Sequence, residues 1–370
     1  MTAGAVTLFL CGDVMLGRGV DQILPRPGAP ALKESYIRDA RAYVELAEAA
    51  NGPVPWPVPP AWPWGDALRV LDGAAVDVRV VNLETSVTGD GEFAPGKEVH
   101  YRMHPGNVPC LAAARPDVCV LANNHVLDFG RRGLEDTLDV LAGAGLRVAG
   151  AGRDAEEAWR PAVVDVDGRH RVVVVAFGTE SSGIPPDWAA TRDRPGVAFV
   201  PEPTYEAAAA ITGRVREAVR PGDVVVASVH WGSNWGYAVG REQVRFAHAL
   251  VDGGVDVVHG HSSHHPRPLE PYRGGLVLYG CGDFIDDYEG ITGYEQFRDD
   301  LRPLYLVTVE PGSDRPPAVR IVPLQAWRMS LRHASREDGE WLRATLDRVS
   351  RGFGARVGLD PDGTLVVKSR

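Results

Sequence analysis

Seven apolar runs rich in valine, at residues 6–10, 78–81, 118–121, 172–176, 224–229, 255–258 and 276–279, constrain this chain more than any other feature. Runs this short, without polar alternation, are the pattern of strands buried on both faces. Helical periodicity fills several intervals, at 133–144, 205–220 and 241–251, and such alternation predicts an α/β sandwich with much parallel pairing. The stretch "PAVVDVDGRHRVVVVAF" differs: an Asp-Gly between two alternating segments predicts an antiparallel hairpin of 162–166 with 171–176. The expected class is therefore α/β, a mixed β-sheet sandwich flanked by helices, with loop insertions.

One insertion is plain. "NGPVPWPVPPAWPW", residues 51–64, cannot be a central strand or helix interior, since its prolines remove donors and fix extended backbone. It reads as a loop packed on the surface by its tryptophans, with an indole wall for a site as the competing reading. Beyond residue 301, "LYLVTVE" and "AVRIVPLQAWRM" read as further strands, and "REDGEWLRATLDRVSRGFG" as an amphipathic helix stopped by glycine. No internal repeat is visible, so one domain is expected over 1–330, with a C-terminal helix and tail, 331–370, packed on it.

Composition narrows the function classes. A hydrophobic fraction of 44% with 24% charged residues is that of an ordered globular protein, and a net charge of −10 argues against nucleic-acid binding through phosphates. The start, "MTAGAVTLFLCGDVML", lacks a basic n-region, and Gly12 and Asp13 break its apolar run. Neither signal peptide nor membrane anchor is expected, and a cytoplasmic location follows by default. Cys11, Cys110, Cys119 and Cys281 lack CxxC spacing and read as buried free thiols.

The segments at the ends of the apolar runs carry the chemistry: "CGDVMLGR", "NLETSV", "ANNHVLDFG", "HWGSNWG", "HGHSSHHP" and "GCGDFIDDY". An unpaired polar group out of water costs roughly 2–7 kcal/mol, so these carboxylates, amides and imidazoles need partners. The carboxyl ends of strands in open α/β sheets form the ligand crevice, which brings such groups together. Imidazole, carboxylate and amide oxygen make the ligand set of a hydrolytic transition-metal site for zinc, manganese or iron. Taken singly, each has an ordinary structural role: Asp13 in a turn, Asn123 and Asn124 on their own backbone, Asp128 as a helix N-cap, His230 in the core. Four of the eleven histidines, however, fall at 259, 261, 264 and 265, and the series favours metal. Arg18 is a candidate anion anchor through its planar fork, or a surface ion-pair partner. Lys97, His100 and Arg102 are candidates to hold an anion or the exposed face of a short strand, and Asp283, Asp286 and Asp287 are either supporting carboxylates or a solvated turn.

Together, "GDVMLGR", "NLETSV", "NNHVLDFG", "HWG" and the histidine cluster followed by "YGCGDF" resemble the CapA family of poly-γ-glutamate capsule biosynthesis proteins, itself similar to calcineurin-like metallophosphoesterases. The ordered motifs run from about Leu8 to Asp287. The resemblance implies a metallophosphoesterase-like fold in which Asp13 binds one metal and Glu84 bridges two. It implies Asn124 and His230 as ligands of the second metal, His125 as general acid or phosphate-facing donor, and Asp128 as the carboxylate that orients His125.

Two positions depart from the phosphoesterase pattern. Its Asp-x-His would put histidine where Met15 stands, leaving one metal a ligand short. Its closing Gly-His-x-His is displaced, so His261 and His264 are the expected ligands with His259 as substitute, Gly260 letting the backbone reverse to aim either side. One or two divalent ions (Mn, Zn or Fe) are implied, with a small anionic ester or a γ-glutamyl-type amide as substrate. A non-catalytic accessory role in γ-glutamyl polymer synthesis is the alternative. No Walker A, Rossmann or Gly-x-Ser-x-Gly signature competes.

Overall fold

The structure is a computed structural model and describes residues 4–369; the outermost residues of the expected 1–330 and 331–370 units lie outside the described residues. Two mixed sheets pack face to face. The first runs, in spatial order, Ala355–Leu359, Leu365–Ser369, Ala318–Ala326, Leu301–Val309, Val6–Val14, Val78–Leu83, Val118–Val120 and Arg147–Ala149. It is parallel from Val6–Val14 onward and antiparallel on the other side. The second runs Phe199–Val200, Arg171–Thr179, Val224–His230, Val257–His261, Gly275–Leu278 and Leu269–Tyr272. The expected hairpin is present, Ala162–Asp165 lying antiparallel to Arg171–Thr179.

Burial on both faces explains the unbroken valine runs. Val224 and Val226 point between the sheets, beside Val6, Leu8, Val78 and Val172. Val225, Ala227 and Val229 point outward under the helices Tyr205–Ala218 and Arg241–Asp252. On the other outer face, Phe9, Cys11, Val81 and Cys119 meet Leu134, Leu138 and Leu141 of helix Gly130–Gly143. Each strand thus separates two apolar layers, and the molecule is helix, sheet, sheet, helix.

The 51–64 segment follows the surface-packing reading. The Trp64 indole is buried beside Phe284 and donates to the Cys110 carbonyl at 2.8 Å; Trp62 donates to that of Arg328 at 3.0 Å. Where a plain tail is expected after helix Arg336–Ser350, Ala355–Leu359 and Leu365–Ser369 form a hairpin that extends the first sheet. The "DPDG" between these two apolar segments is its turn signal. All four cysteines are free and buried. Among the described residues no helix is long and apolar enough to cross a membrane.

Candidate metal centre

The strand register assembles the site. Val224, Val226, Ser228 and His230 share the inner face of one strand, which turns from apolar to polar as it leaves the core, and His230 is paired with His261 on the next strand. In Val6–Val14 the inner face is Val6, Leu8 and Leu10, and strict alternation would continue it with Gly12. A bulge intervenes: Leu10 pairs with Val80 and Asp13 with Asn82, so three steps along one strand match two along the other. The extra residue re-aims the strand and puts Asp13 on the inner face, as bulges beside functional sites do. Asp13 also pairs with Asp283 of the parallel strand Asp283–Ile285. The approach is close enough that a Cβ on Gly12 would lie 1.5 Å from the Gly282 carbonyl oxygen, so that position must be glycine.

Both sheets therefore deliver polar side chains to one seam. Asn82 Nδ2 donates to Asp13 Oδ1 at 2.7 Å, and the Ser262 amide donates to Asp13 Oδ2 at 3.1 Å. His230 Nδ1 and His261 Nδ1 lie 2.8 Å apart and 4.0 and 3.8 Å from Asp13 Oδ1. His230 Nε2 is 2.9 Å from Asn124 Oδ1 and 3.6 Å from Glu84 Oε1. On the far side of Asp13, His264 Nδ1 contacts Asp283 Oδ1 at 3.0 Å. Two groups with the geometry to hold a metal result, Asp13–His230–His261 and Asp13–His264–Asp283, and they share Asp13.

A third cluster flanks them. His125 Nδ1 is 2.6 Å from Asp128 Oδ2, Lys97 Nζ donates to Asp128 Oδ1 at 2.5 Å, and the Tyr101 amide donates to Asp128 Oδ2 at 2.7 Å. The other ring nitrogen, Nε2, faces Glu84 Oε1 at 3.8 Å. Asn123, by contrast, is structural: its amide donates to Asn82 Oδ1 and the Leu83 carbonyl, and its Oδ1 accepts the His125 amide.

Electrostatics follow from burying so many groups together. Burial, with Asp283 nearby, pushes Asp13 up to about 7, and burial beside Asp13 and Asp283 holds Glu84 well above the usual carboxylate range. Burial drives His230 and His261 well below the ordinary imidazole value, so both rings are neutral. It also takes His125 down to about 4, outweighing the attraction of Asp128. Burial opposes ionisation of Asp128 too, but His125 and Lys97 overcome it and keep that carboxylate charged. At His264 and Asp283 mutual attraction likewise overcomes burial, raising the imidazole and lowering the carboxyl.

Residues 7–288 match the family described as bacterial capsule synthesis protein PGA_cap. The chain belongs to this family. A probable polyglutamine synthesis accessory protein of Mycobacterium tuberculosis is 56% identical over 363 residues, 98% of this chain and 96% of the relative. The PGA biosynthesis protein CapA of Bacillus subtilis is 27% identical over 78% of this chain and 64% of its own length. The capsule biosynthesis protein CapA of Bacillus anthracis is 25% identical over 76% and 60%.

In this PGA_cap chain the candidate residues fall into two sets. Asp13, Glu84, Asn124, His125, Asp128, His230, His261 and His264 come together around the seam. His259 lies deeper, its ring nitrogens 3.0 Å from Ser228 Oγ and 2.7 Å from the Cys11 carbonyl oxygen. Gly260 does not reverse the chain, because it lies within the strand Val257–His261; the left-handed residue is Ser262, at φ 95°. Arg18 is buried rather than presented as an open fork. It binds Asp287 through two nitrogens, at 2.8 and 2.6 Å, and Glu34 and Tyr43 through a third, at 2.8 and 2.9 Å. Four of a guanidinium's five N–H donors are then in use.

The basic cluster separates as well. Lys97 serves Asp128, His100 bonds the Ala94 carbonyl at 3.0 Å, and Arg102 lies over the Phe129 ring. Met15 is buried, with the Tyr288 hydroxyl 4.0 Å from its sulfur. Asp283, by sequence no more than a supporting carboxylate, stands in the centre itself. The signal that places it beside Asp13 is the repeated Cys-Gly-Asp at 11–13 and 281–283.

Proposed function

We propose that the chain is a metal-dependent hydrolase acting on a small anionic ester or a γ-glutamyl-type amide, in the polymer metabolism for which its relatives are named. The observation that carries this reading is the convergence of Asp13, Glu84, Asn124, His230, His261 and His264 on one buried seam. The donor set fits a divalent ion of manganese, zinc or iron. Glu84 Oε2 and Asp283 Oδ2 are buried without a hydrogen-bond donor; Glu84 sits beside the Asp13 carboxyl, and Asp283 pairs along its strand with Asp13 while its other oxygen meets His264. Carboxyl groups so placed need a shared proton or a cation between them, and a divalent ion meets that need. When bound, such an ion supplies Lewis acidity and a water whose pKa falls toward about 7.

The protein's own groups supply the rest. With Asp128 charged, the His125 proton resides on Nδ1 and donates to it, leaving the Nε2 lone pair facing the seam. A neutral ring of this kind accepts a proton first and returns it to a leaving oxygen or nitrogen, the cycle that ester or amide hydrolysis requires. Lys97 holds Asp128 in place and, through it, the tautomer of His125.

Elemental analysis of chelator-free protein beside His230→Ala is the first test, with assays on phosphoesters and γ-glutamyl peptides with each metal after it. Bound metal, reduced in the variant, together with turnover on either substrate class supports the reading. Protein that binds no metal even after reconstitution sinks it. Metal without turnover on any substrate favours the accessory role, the reading that the name of the Mycobacterium tuberculosis relative supports.

A further inference from the structure

We propose that Tyr288, supported by Tyr101, is a substrate-binding residue of the seam, its hydroxyl donating to an anionic oxygen of the ester or glutamyl substrate. The inference rests on the proposed metal-dependent function and adds to it the group that recognises the substrate's charge.

The two phenols join the two flanks of the site. The Tyr101 ring meets the His125 ring edge-on at 4.7 Å, and the Tyr288 ring meets that of His264 in the same way at 5.2 Å. Their hydroxyls touch, Tyr101 donating to Tyr288 Oη at 3.0 Å. The acceptor that the Tyr288 proton meets in turn is the Met15 sulfur, 4.0 Å away. A thioether is a weak acceptor, so this phenol keeps a donor free for a better one. A phosphoryl or carboxylate oxygen is such an acceptor, because a hydrogen bond to a charged group is stronger than one between neutral groups.

Both phenols are anchored. Tyr101 is buried, and its amide donates to Asp128 Oδ2, the oxygen that meets His125 Nδ1. Tyr288 follows Asp287, which Arg18 grips through two nitrogens and the Gly19 amide through a bond of 2.7 Å. The Tyr288 amide donates to Asp286 Oδ1 at 3.0 Å. The Arg18 guanidinium carbon lies 4.5 Å from the Tyr101 ring centre and 5.7 Å from that of Tyr288. Arg18 therefore braces the phenols without reading an anion itself: Asp287 and Glu34 take its charge, as Asp128 takes that of Lys97. With these cations engaged, recognition of an anion falls to neutral donors held in place, which need no reorganisation when it arrives.

The test is calorimetric titration of the Mn²⁺-loaded full chain with inorganic phosphate and, separately, with glutarate, beside Tyr288→Phe, with metal content measured on each protein. The wild type is expected to bind at least one of the two anions, and which one distinguishes ester from glutamyl recognition. Tyr288→Phe keeps the ring and is expected to bind that anion about 10-fold or more weakly at unchanged metal content. Tyr101→Phe, which loses only the supporting hydroxyl, is expected to bind it about 3-fold more weakly. Equal affinity in wild type and Tyr288→Phe, or a metal-loaded wild type that binds neither anion, overturns the inference and leaves the metal centre standing. Loss of metal together with the anion in Tyr288→Phe also overturns it, because the phenol then only positions His264. A wild type that binds no metal overturns both readings. If circular dichroism shows Tyr288→Phe unfolded, Tyr101→Phe decides, and unchanged anion affinity there overturns the inference.

Discussion

Two of the clusters of buried charge in this chain, around Arg18 and around Asp13, are built on opposite terms. Around Arg18, a guanidinium sits between Asp287 and Glu34, with the Tyr43 ring 3.6 Å and the Tyr101 ring 4.5 Å from its carbon. Around Asp13, carboxyl groups crowd one another beside the His230 and His261 rings, whose pKa burial lowers, and beside oxygens that no donor reaches. The first cluster is closed: its positive charge is supplied by the chain, and its geometry ties the 18–43 region to Asp287. The second is open: the chain supplies carboxyl groups and lone pairs there, and on the proposed reading the compensating cation comes from outside. Burial alone does not distinguish a brace from a binding site; the balance of charge and donors does.

The largest expected effect tests the open cluster. Asp13→Ala removes the residue common to both candidate metal groups and should lower affinity for Mn²⁺ or Zn²⁺ by about 100-fold or more, read by elemental analysis after dialysis. Retention of the full complement would break the comparison at its root. Asp128→Asn sharpens it from the side: metal content should stay, while turnover on any substrate identified falls by about 100-fold, since proton transfer by His125 loses its orienting partner.

The closed cluster should respond in the opposite sense. Arg18→Met leaves Asp287 and Glu34 buried without their cation and should cost about 3–5 kcal/mol in urea unfolding while metal stoichiometry holds. A drop in stoichiometry with unchanged stability would reverse the two roles.

A milder prediction concerns pH. Asp13 is raised to about 7 in the metal-free fold from an ordinary value near 4. The folded state therefore holds a proton that the unfolded state has released across that window. Its contribution to metal-free stability is present below about pH 4 and is lost as pH rises through about 7. Metal binding displaces that proton, so the rise in Tm on adding metal should grow from pH 5 to pH 8. A constant increment would mean that Asp13 carries no proton before metal binds. The smallest effect belongs to Trp56→Ala: this side chain is 69% exposed, and its loss should change stability by about 0.5 kcal/mol or less.

Much of the fold and the site is legible in the sequence, for identifiable reasons. Valine runs without alternation mark strands covered on both sides, and polar groups after them mark the strand ends. Asp13, Glu84, Asn124 and His230 can be picked out because each ends or immediately succeeds such a run. The histidines after 257 cannot be sorted by spacing, since His259 and His261 share a strand face and differ only in depth. His259 reaches the Cys11 carbonyl, whereas His261 stands opposite His230. Arg18 reads as a free anion anchor because nothing in "GDVMLGR" reveals that Glu34 and Asp287 close over it.

By itself the sequence determined the layered α/β class, the strand ends as the place where polar groups gather and the membership in PGA_cap, because periodicity and local motifs are properties of short segments. Only the tertiary structure decided which groups touch. The bulge before Asp13 turns it to the inner face, and the pairing with Asp283 joins residues 270 positions apart. Register depends on the packing of whole sheets, and a shift of one residue along a strand exchanges its two faces.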